Sequence, residues 1–160
     1  MSKKTSFFLG ANTPDGFVSF FDELYNPYNS CTAYIIKGGP GTGKSTLMKK
    51  IGQTALDKGY NAEYVYCSSD GKSLDGLIVP ELNLSVADGT SPHTLEPKFP
   101  GAAESIINPG DFWNKEKLRS SADKIRTLTL ENSLHHRRSS AYLASAGKIY
   151  NESMRICRSS

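Results

Sequence analysis

The chain has 160 residues, 38% apolar and 22% charged, the length of about one domain and a globular balance that excludes wholesale disorder. Its net charge of +3 is too small to mark a nucleic-acid binder, and no apolar run is long enough to span a membrane or form a signal-peptide core. The charge is uneven: residues 1–110 hold nine Lys/Arg against eleven Asp/Glu, whereas residues 111–160 hold ten against five.

Ser6–Gly10 reads as a short strand closed by the turn residues Asn12-Thr13-Pro14-Asp15-Gly16. Phe17, Val18, Phe20, Phe21 and Leu24 recur at helical spacing, as a core stripe or a ligand platform, and Asn26, Pro27, Asn29 and Ser30 end that helix. Ala33-Tyr34-Ile35-Ile36 is a short apolar strand. It leads into Gly38-Gly39-Pro40-Gly41-Thr42-Gly43-Lys44-Ser45-Thr46, which fits the phosphate-loop pattern G-x-x-x-x-G-K-[ST] throughout. Small residues let the backbone wrap a phosphate chain with its N–H groups turned inward. Lys44 is placed to reach the β- and γ-phosphates, and the Ser45 hydroxyl to ligate Mg²⁺. Leu47, Met48, Ile51 and Ala55 follow at helical spacing, so a helix N-terminus faces the phosphates; the helix should end near Gly59.

Ala62–Cys67 is the next strand, rich in β-formers. It delivers Asp70 to the edge where strand carboxyl ends line a ligand crevice. Asp70 is there either to hold a second substrate or a water, or to cap the next short helix. Ser73–Val79 is expected as a helical turn stopped by Pro80. Leu82–Ala87 reads as a further strand that brings Asp88 to the same edge, where an acid holds Mg²⁺ or its water, or simply turns the chain before Gly89. Because Gly89 follows, the glutamate that orients water in many motor-type ATPases is absent. Residues 89–110 contain Pro92, Pro97, Pro100 and Pro109 and should be mostly loop. His93 sits close enough to be a site histidine or to make an ordinary loop hydrogen bond. Nothing in the spacing of Cys67, Asp88 and His93 demands a metal trio.

Past Asp111 the pattern turns helical. Trp113, Leu118, Ala122, Ile125 and Leu128 define one face; Tyr142, Leu143, Ala146, Ile149, Tyr150 and Met154 define another, with a corner expected near Asn132-Ser133. Trp113, Leu118 and Ile125 should pack on the preceding domain. The cluster His135-His136-Arg137-Arg138 can meet phosphate or nucleic acid, or be a solvated helix face. Cys31, Cys67 and Cys157 are odd in number and lack C-x-x-C spacing, which favours reduced thiols and a cytoplasmic protein.

The fold class expected from these elements is α/β: a three-layer P-loop sandwich with a short, largely parallel sheet over residues 1–110, then a basic helical segment over 111–160. Several motifs together resemble a family of bacterial P-loop proteins described as ATPase-like or nucleotide-kinase-like. They are Asn12-Thr13 with Gly16-Phe17 and Phe20-Phe21, the loop Gly38–Thr46, Cys67 with Ser73-Leu74-Asp75-Gly76, Asp88-Gly89-Thr90 with Pro92-His93, and Pro100-Gly101-Ala102. A weaker likeness extends into Ala141-Tyr142-Leu143. The resemblance implies ATP binding within longer proteins built of two P-loop-like halves, so this chain is expected to be an N-terminal part whose partner is the remaining half. The reaction stays open between a Mg²⁺-dependent ATPase or ATP-driven switch, a small-molecule or nucleotide kinase with Asp70 placed to accept a substrate hydroxyl proton, and a nucleotide-holding interaction module.

Overall fold

The computed structural model describes residues 2–29, 31–91 and 95–159, so Ser30, Pro92 and His93 lie outside the described residues. The chain divides into two compact units, Met1–Gly10 with Ser19–Phe112, and Ala11–Val18 with Trp113–Ser160. In chain order the strands are β1 (Lys4–Phe7), β2 (Gly10–Thr13), β3 (Gly16–Ser19), β4 (Thr32–Ile36), β5 (Ala62–Tyr66), β6 (Leu74–Val79), β7 (Leu84–Asp88) and β8 (Glu104–Ile107). Helix α1 (Lys44–Asp57) lies between β4 and β5, and α2 (Lys115–Ser120) and α3 (Ala122–Ser159) follow β8.

The first unit is built on a mixed, mostly parallel six-stranded sheet in the order β1-β5-β6-β7-β4-β8. Three neighbouring pairs are parallel; β6 alone runs against both of its neighbours, β5 and β7. Successive residues of the central strands point to opposite faces, and both faces are covered, which is why these strands read as continuous apolar runs. Ile36, Tyr64, Leu77 and Val86 pack with Met48 of α1 on one face. Ile35, Val65 and Ala87 pack with Phe21, Leu24 and Leu95 on the other. That second face is covered by a 3₁₀ turn, Phe21–Glu23, and coil, where a third, helical layer was expected.

Helix α1 presents Met48, Gly52 and Ala55 to the sheet. Leu47, expected on that face, is exposed. Gly52 takes the place because the helix approaches so closely that a Cβ there would lie 2.5 Å from the Tyr64 hydroxyl. The helix ends as anticipated. Gly59 adopts φ +89°, its N–H donates to the Leu56 carbonyl, and the Tyr60 N–H donates to the Ala55 carbonyl, the paired bonds of a Schellman close.

Several of the expected elements differ in the structure. Ser73–Val79 is not a helical turn: Leu74–Val79 is strand β6, buried among its neighbours and laddered on both sides. Phe17–Leu24 is not a helix, because Thr13 Oγ1 donates to the Gly16 carbonyl (2.7 Å) and accepts the Asp15 N–H (3.3 Å), closing a tight turn into β3. Residues 89–110 are mostly loop, as expected, but include the short strand β8, whose Glu104 is 1% exposed and hydrogen-bonded. Its carboxylate accepts from the Tyr25 hydroxyl (3.1 Å), the Lys98 N–H (3.2 Å) and the Phe99 N–H (2.8 Å). With β6 and β8 added, the sheet is broader than the short one expected.

In the second unit α3 runs for 38 residues without the corner expected at Asn132-Ser133. Ser133 Oγ instead donates to the Thr129 carbonyl (2.9 Å), a bond that keeps a polar residue inside a helix. Gly147 is the buried position of α3; a Cβ there would lie 2.4 Å from Pro14 Cβ, so the hairpin tip seats on a gap in the helix surface. Trp113, Leu118 and Ile125, expected as packing residues, are exposed, as are His135, His136, Arg137 and Arg138. Among the described residues, no helix is long and apolar enough to cross a membrane.

Candidate functional site

The site is assembled by strand register. Ile36, the last residue of β4, stands opposite Asp88, the last residue of β7, and Ile107 of β8 on the other side. The Lys37 N–H donates to the Ile107 carbonyl and the Gly89 N–H to the Ile36 carbonyl, so the chain entering the glycine loop is held on both flanks. The loop that follows has little room at its start. A Cβ on Gly38 would lie 2.9 Å from Thr42 Oγ1 and 3.3 Å from the Pro109 ring. Gly41 and Gly43 take φ of +76° and +83°, a backbone that side-chain-bearing residues rarely adopt. Thr42 Oγ1 closes the loop by donating to the Gly39 carbonyl (2.8 Å).

Because β6 runs against β5, their connection falls on the edge of the sheet that carries the glycine loop. It is tied down by α1: the Leu74 N–H donates to Ser45 Oγ (2.9 Å), and Lys49 Nζ donates to the Lys72 carbonyl (2.5 Å). Asp70 turns the connection by accepting the Lys72 N–H at Oδ1 (3.0 Å) while its carbonyl accepts the Ser73 N–H (2.8 Å). The helix-capping role considered for it has no helix to serve.

A cavity of about 420 Å³ lies over the loop, lined by Pro40 to Thr46 together with Asp70, Ser73 and Asp88. The sequence-predicted residues Lys44, Ser45, Asp70 and Asp88 therefore meet on one cavity. Gly38 and Gly39 form the loop's root, and their carbonyls accept from Lys44 Nζ at 2.6 and 3.0 Å. Lys44 Nζ also stands 3.4 Å from Asp88 Oδ2, with both side chains close to nine-tenths buried. At the mouth of α1, Gly43 offers no side-chain cap. The first-turn amides of Lys44, Ser45 and Thr46 lack intrahelical acceptors, and the helix dipole adds partial positive charge there.

A larger cavity, about 670 Å³, is lined by residues such as Tyr25, Asn26, Asn83 and Ser85, and its lining includes no charged side chain.

The donor set at the glycine loop fits a Mg²⁺-bound triphosphate. Ser45 Oγ and the Asp88 carboxylate are hard oxygen donors, the kind Mg²⁺ prefers. Among the described residues no group of three His, Cys, Asp or Glu side chains is placed to hold a metal ion by itself. The Cys67–Asp88–His93 trio falls in part outside the described residues, at His93. Burial pushes the Cys67 thiol above its usual range, a shift opposed by the Ser69 amide and reinforced by a hydrogen bond with Asp75.

One contact at the site carries no sequence signature strong enough to find it. Both the N–H and the hydroxyl of Thr90 donate to Asp88 Oδ1. An Asp-x-Thr spacing hints at such a turn but is common in loops. Lys37, just ahead of Gly38, donates to the Gly89 carbonyl (2.9 Å) and pairs with Glu96 (2.5 Å), clamping the segment after Asp88 to the strand before the loop. Compared with protein-family models, curated proteins and solved structures, the chain matches none of them.

Proposed function

We propose that this chain binds ATP as its Mg²⁺ complex at the loop Gly38–Thr46 and works as a Mg²⁺-dependent ATPase or ATP-driven switch. One observation carries the reading: a lysine, a hydroxyl, a carboxylate and an uncapped helix start converge on one cavity at the end of parallel strands. Each part has a role that follows from its chemistry. The first-turn amides and the glycine backbone donate to phosphate oxygens. Lys44, already directed across the loop, exchanges its bonds to the Gly38 and Gly39 carbonyls for phosphate oxygens. Ser45 and Asp88 are the residues that would hold Mg²⁺, which when bound neutralises charge on the transferring phosphoryl group. The resemblance to ATPase-like P-loop proteins supports the same reading.

Phosphoryl transfer to a second substrate is the alternative, favoured by the position of Asp70 on the wall of the same cavity. A carboxylate there can accept the proton of an attacking hydroxyl. Equilibrium titration of a fluorescent ATP analogue, with and without Mg²⁺, tests the reading; no saturable binding would overturn it. ATP consumption measured with and without pooled nucleosides, nucleotides and sugars separates hydrolysis from transfer.

A further inference from the structure

The two oxygens of Asp88 have different surroundings. Oδ1 accepts from the Thr90 N–H at 3.0 Å and from the Thr90 hydroxyl. Oδ2 faces Lys44 Nζ at 3.4 Å. The backbone bond alone is a common turn device. The hydroxyl is a second donor to the same oxygen, and it removes the carboxylate's freedom to rotate about its Cβ–Cγ bond. Thr90 is itself held in place: the Gly89 carbonyl accepts from Lys37 and the Gly89 N–H donates to Ile36. A Cβ at Gly89 would lie 2.4 Å from Ile35 Cγ2, so this turn sits tightly against β4.

We propose that Thr90 is a positioning residue of the metal–phosphate site. Its hydroxyl holds one oxygen of Asp88 so that the other is presented to the divalent cation beside Lys44. The inference rests on the nucleotide-binding reading above. Groups that orient a metal-binding carboxylate typically change metal affinity by about 10–100-fold when removed.

The experiment titrates Mg²⁺ into the full chain with a fluorescent ATP analogue at fixed concentration, beside a titration of the analogue in EDTA. Thr90→Val keeps the shape and the backbone N–H but removes the hydroxyl; Thr90→Ser keeps the hydroxyl. The expected result is a half-saturating Mg²⁺ concentration raised about tenfold or more in Thr90→Val. Thr90→Ser should restore it, and the EDTA titrations should coincide for all three proteins. Melting curves of the nucleotide-free proteins accompany the series, since a purely structural role would lower the melting temperature and leave the Mg²⁺ midpoint where it was. An unchanged midpoint in Thr90→Val overturns the inference while leaving the nucleotide-binding reading standing. Absence of binding by the parent chain overturns both.

Discussion

Lys44 Nζ stands 3.4 Å from Asp88 Oδ2, an ion pair between the first residue of α1 and the last residue of β7, both largely buried. Neither charge is held by the other alone. The ammonium also donates to two loop carbonyls, and the carboxylate also accepts twice from Thr90. Such a pair is weak evidence for stability, since desolvation offsets most of its attraction. It does place a cation and an anion side by side on the wall of a cavity of about 420 Å³.

Lys44→Ala is therefore expected to act on ligand and, to a smaller degree, on fold. Losing one charge-assisted bond, worth roughly 1.5–3 kcal/mol, should weaken triphosphate binding by about 10–150-fold. The variant also leaves Asp88 without its cation, so its melting temperature should fall modestly. Analogue titrations and melting curves on both proteins measure the two effects. Equal affinities would mean that the loop does not hold phosphate.

Asp88→Asn keeps the shape and can still accept from Thr90, but it removes the charge offered to Mg²⁺. Binding in EDTA should be retained, while the gain in affinity on adding Mg²⁺, and any ATP turnover, should largely vanish. If turnover persisted at the parent rate, the acid's role would pass to Asp70 on the same cavity wall.

Gly52→Ala tests how the helix is seated beneath the loop. A helical glycine usually gains about 1 kcal/mol on becoming alanine. Here the added methyl would meet the Tyr64 hydroxyl at 2.5 Å and Leu77 Cδ1 at 2.9 Å, so overpacking of roughly 1–3 kcal/mol should prevail. Denaturant unfolding should show a net loss of stability, and a net gain would mean that α1 lifts away freely.

Tyr25 predicts an alkaline sensitivity. Its phenol is held above the ordinary tyrosine range by burial first, then by its hydrogen bond to Glu104 and that carboxylate's charge. The fold thus favours the neutral phenol. Its contribution is fully present below the unfolded value near 10 and is lost as pH rises through the folded value. Tyr25→Phe should reduce stability at neutral pH by about 1–2 kcal/mol, because Glu104 loses a donor, and should flatten the decline above pH 10. Tyr64, also raised by burial, leaves some slope in place. An unchanged alkaline profile in Tyr25→Phe would contradict the assignment.

What could be read from the residues follows from how local each signal is. The loop, α1, its glycine close, and strands β4, β5 and β7 each announce themselves locally, and Asp70, in the connection after β5, and Asp88, at the end of β7, line one cavity with the loop's Lys44 and Ser45. Strand β6 was not legible, because a short apolar run with a glycine fits a buried turn as well as a buried strand, and only its two partners decide. Glu104 hid β8: a carboxylate at the first position of a four-residue strand looks solvent-facing until Tyr25, far away in sequence, supplies the donor. The Phe17–Leu24 stripe satisfied helical spacing, but the turn at Pro14-Asp15 set a hairpin register first. On α3, Asn132-Ser133 carried a turn composition that a long helix absorbs through a serine bond to the preceding turn.

The reversed strand β6 also bears on the order in which the molecule assembles. β5, β6 and β7 are consecutive in the chain and adjacent in the sheet, so their pairing closes only short loops. β4 must instead slot between β7 and β8, each reached through a long stretch of chain, and such closures carry the greater entropy loss. We expect the β5–β7 meander to be formed in the folding transition state, with φ-values well above those of β4 and β8. Comparing Val65→Ala and Leu77→Ala with Ile35→Val and Ile107→Val in folding kinetics would reveal the opposite order if it held. On this expectation the glycine loop, hung from the last strand to enter, acquires its shape only when the rest of the sheet is already in place.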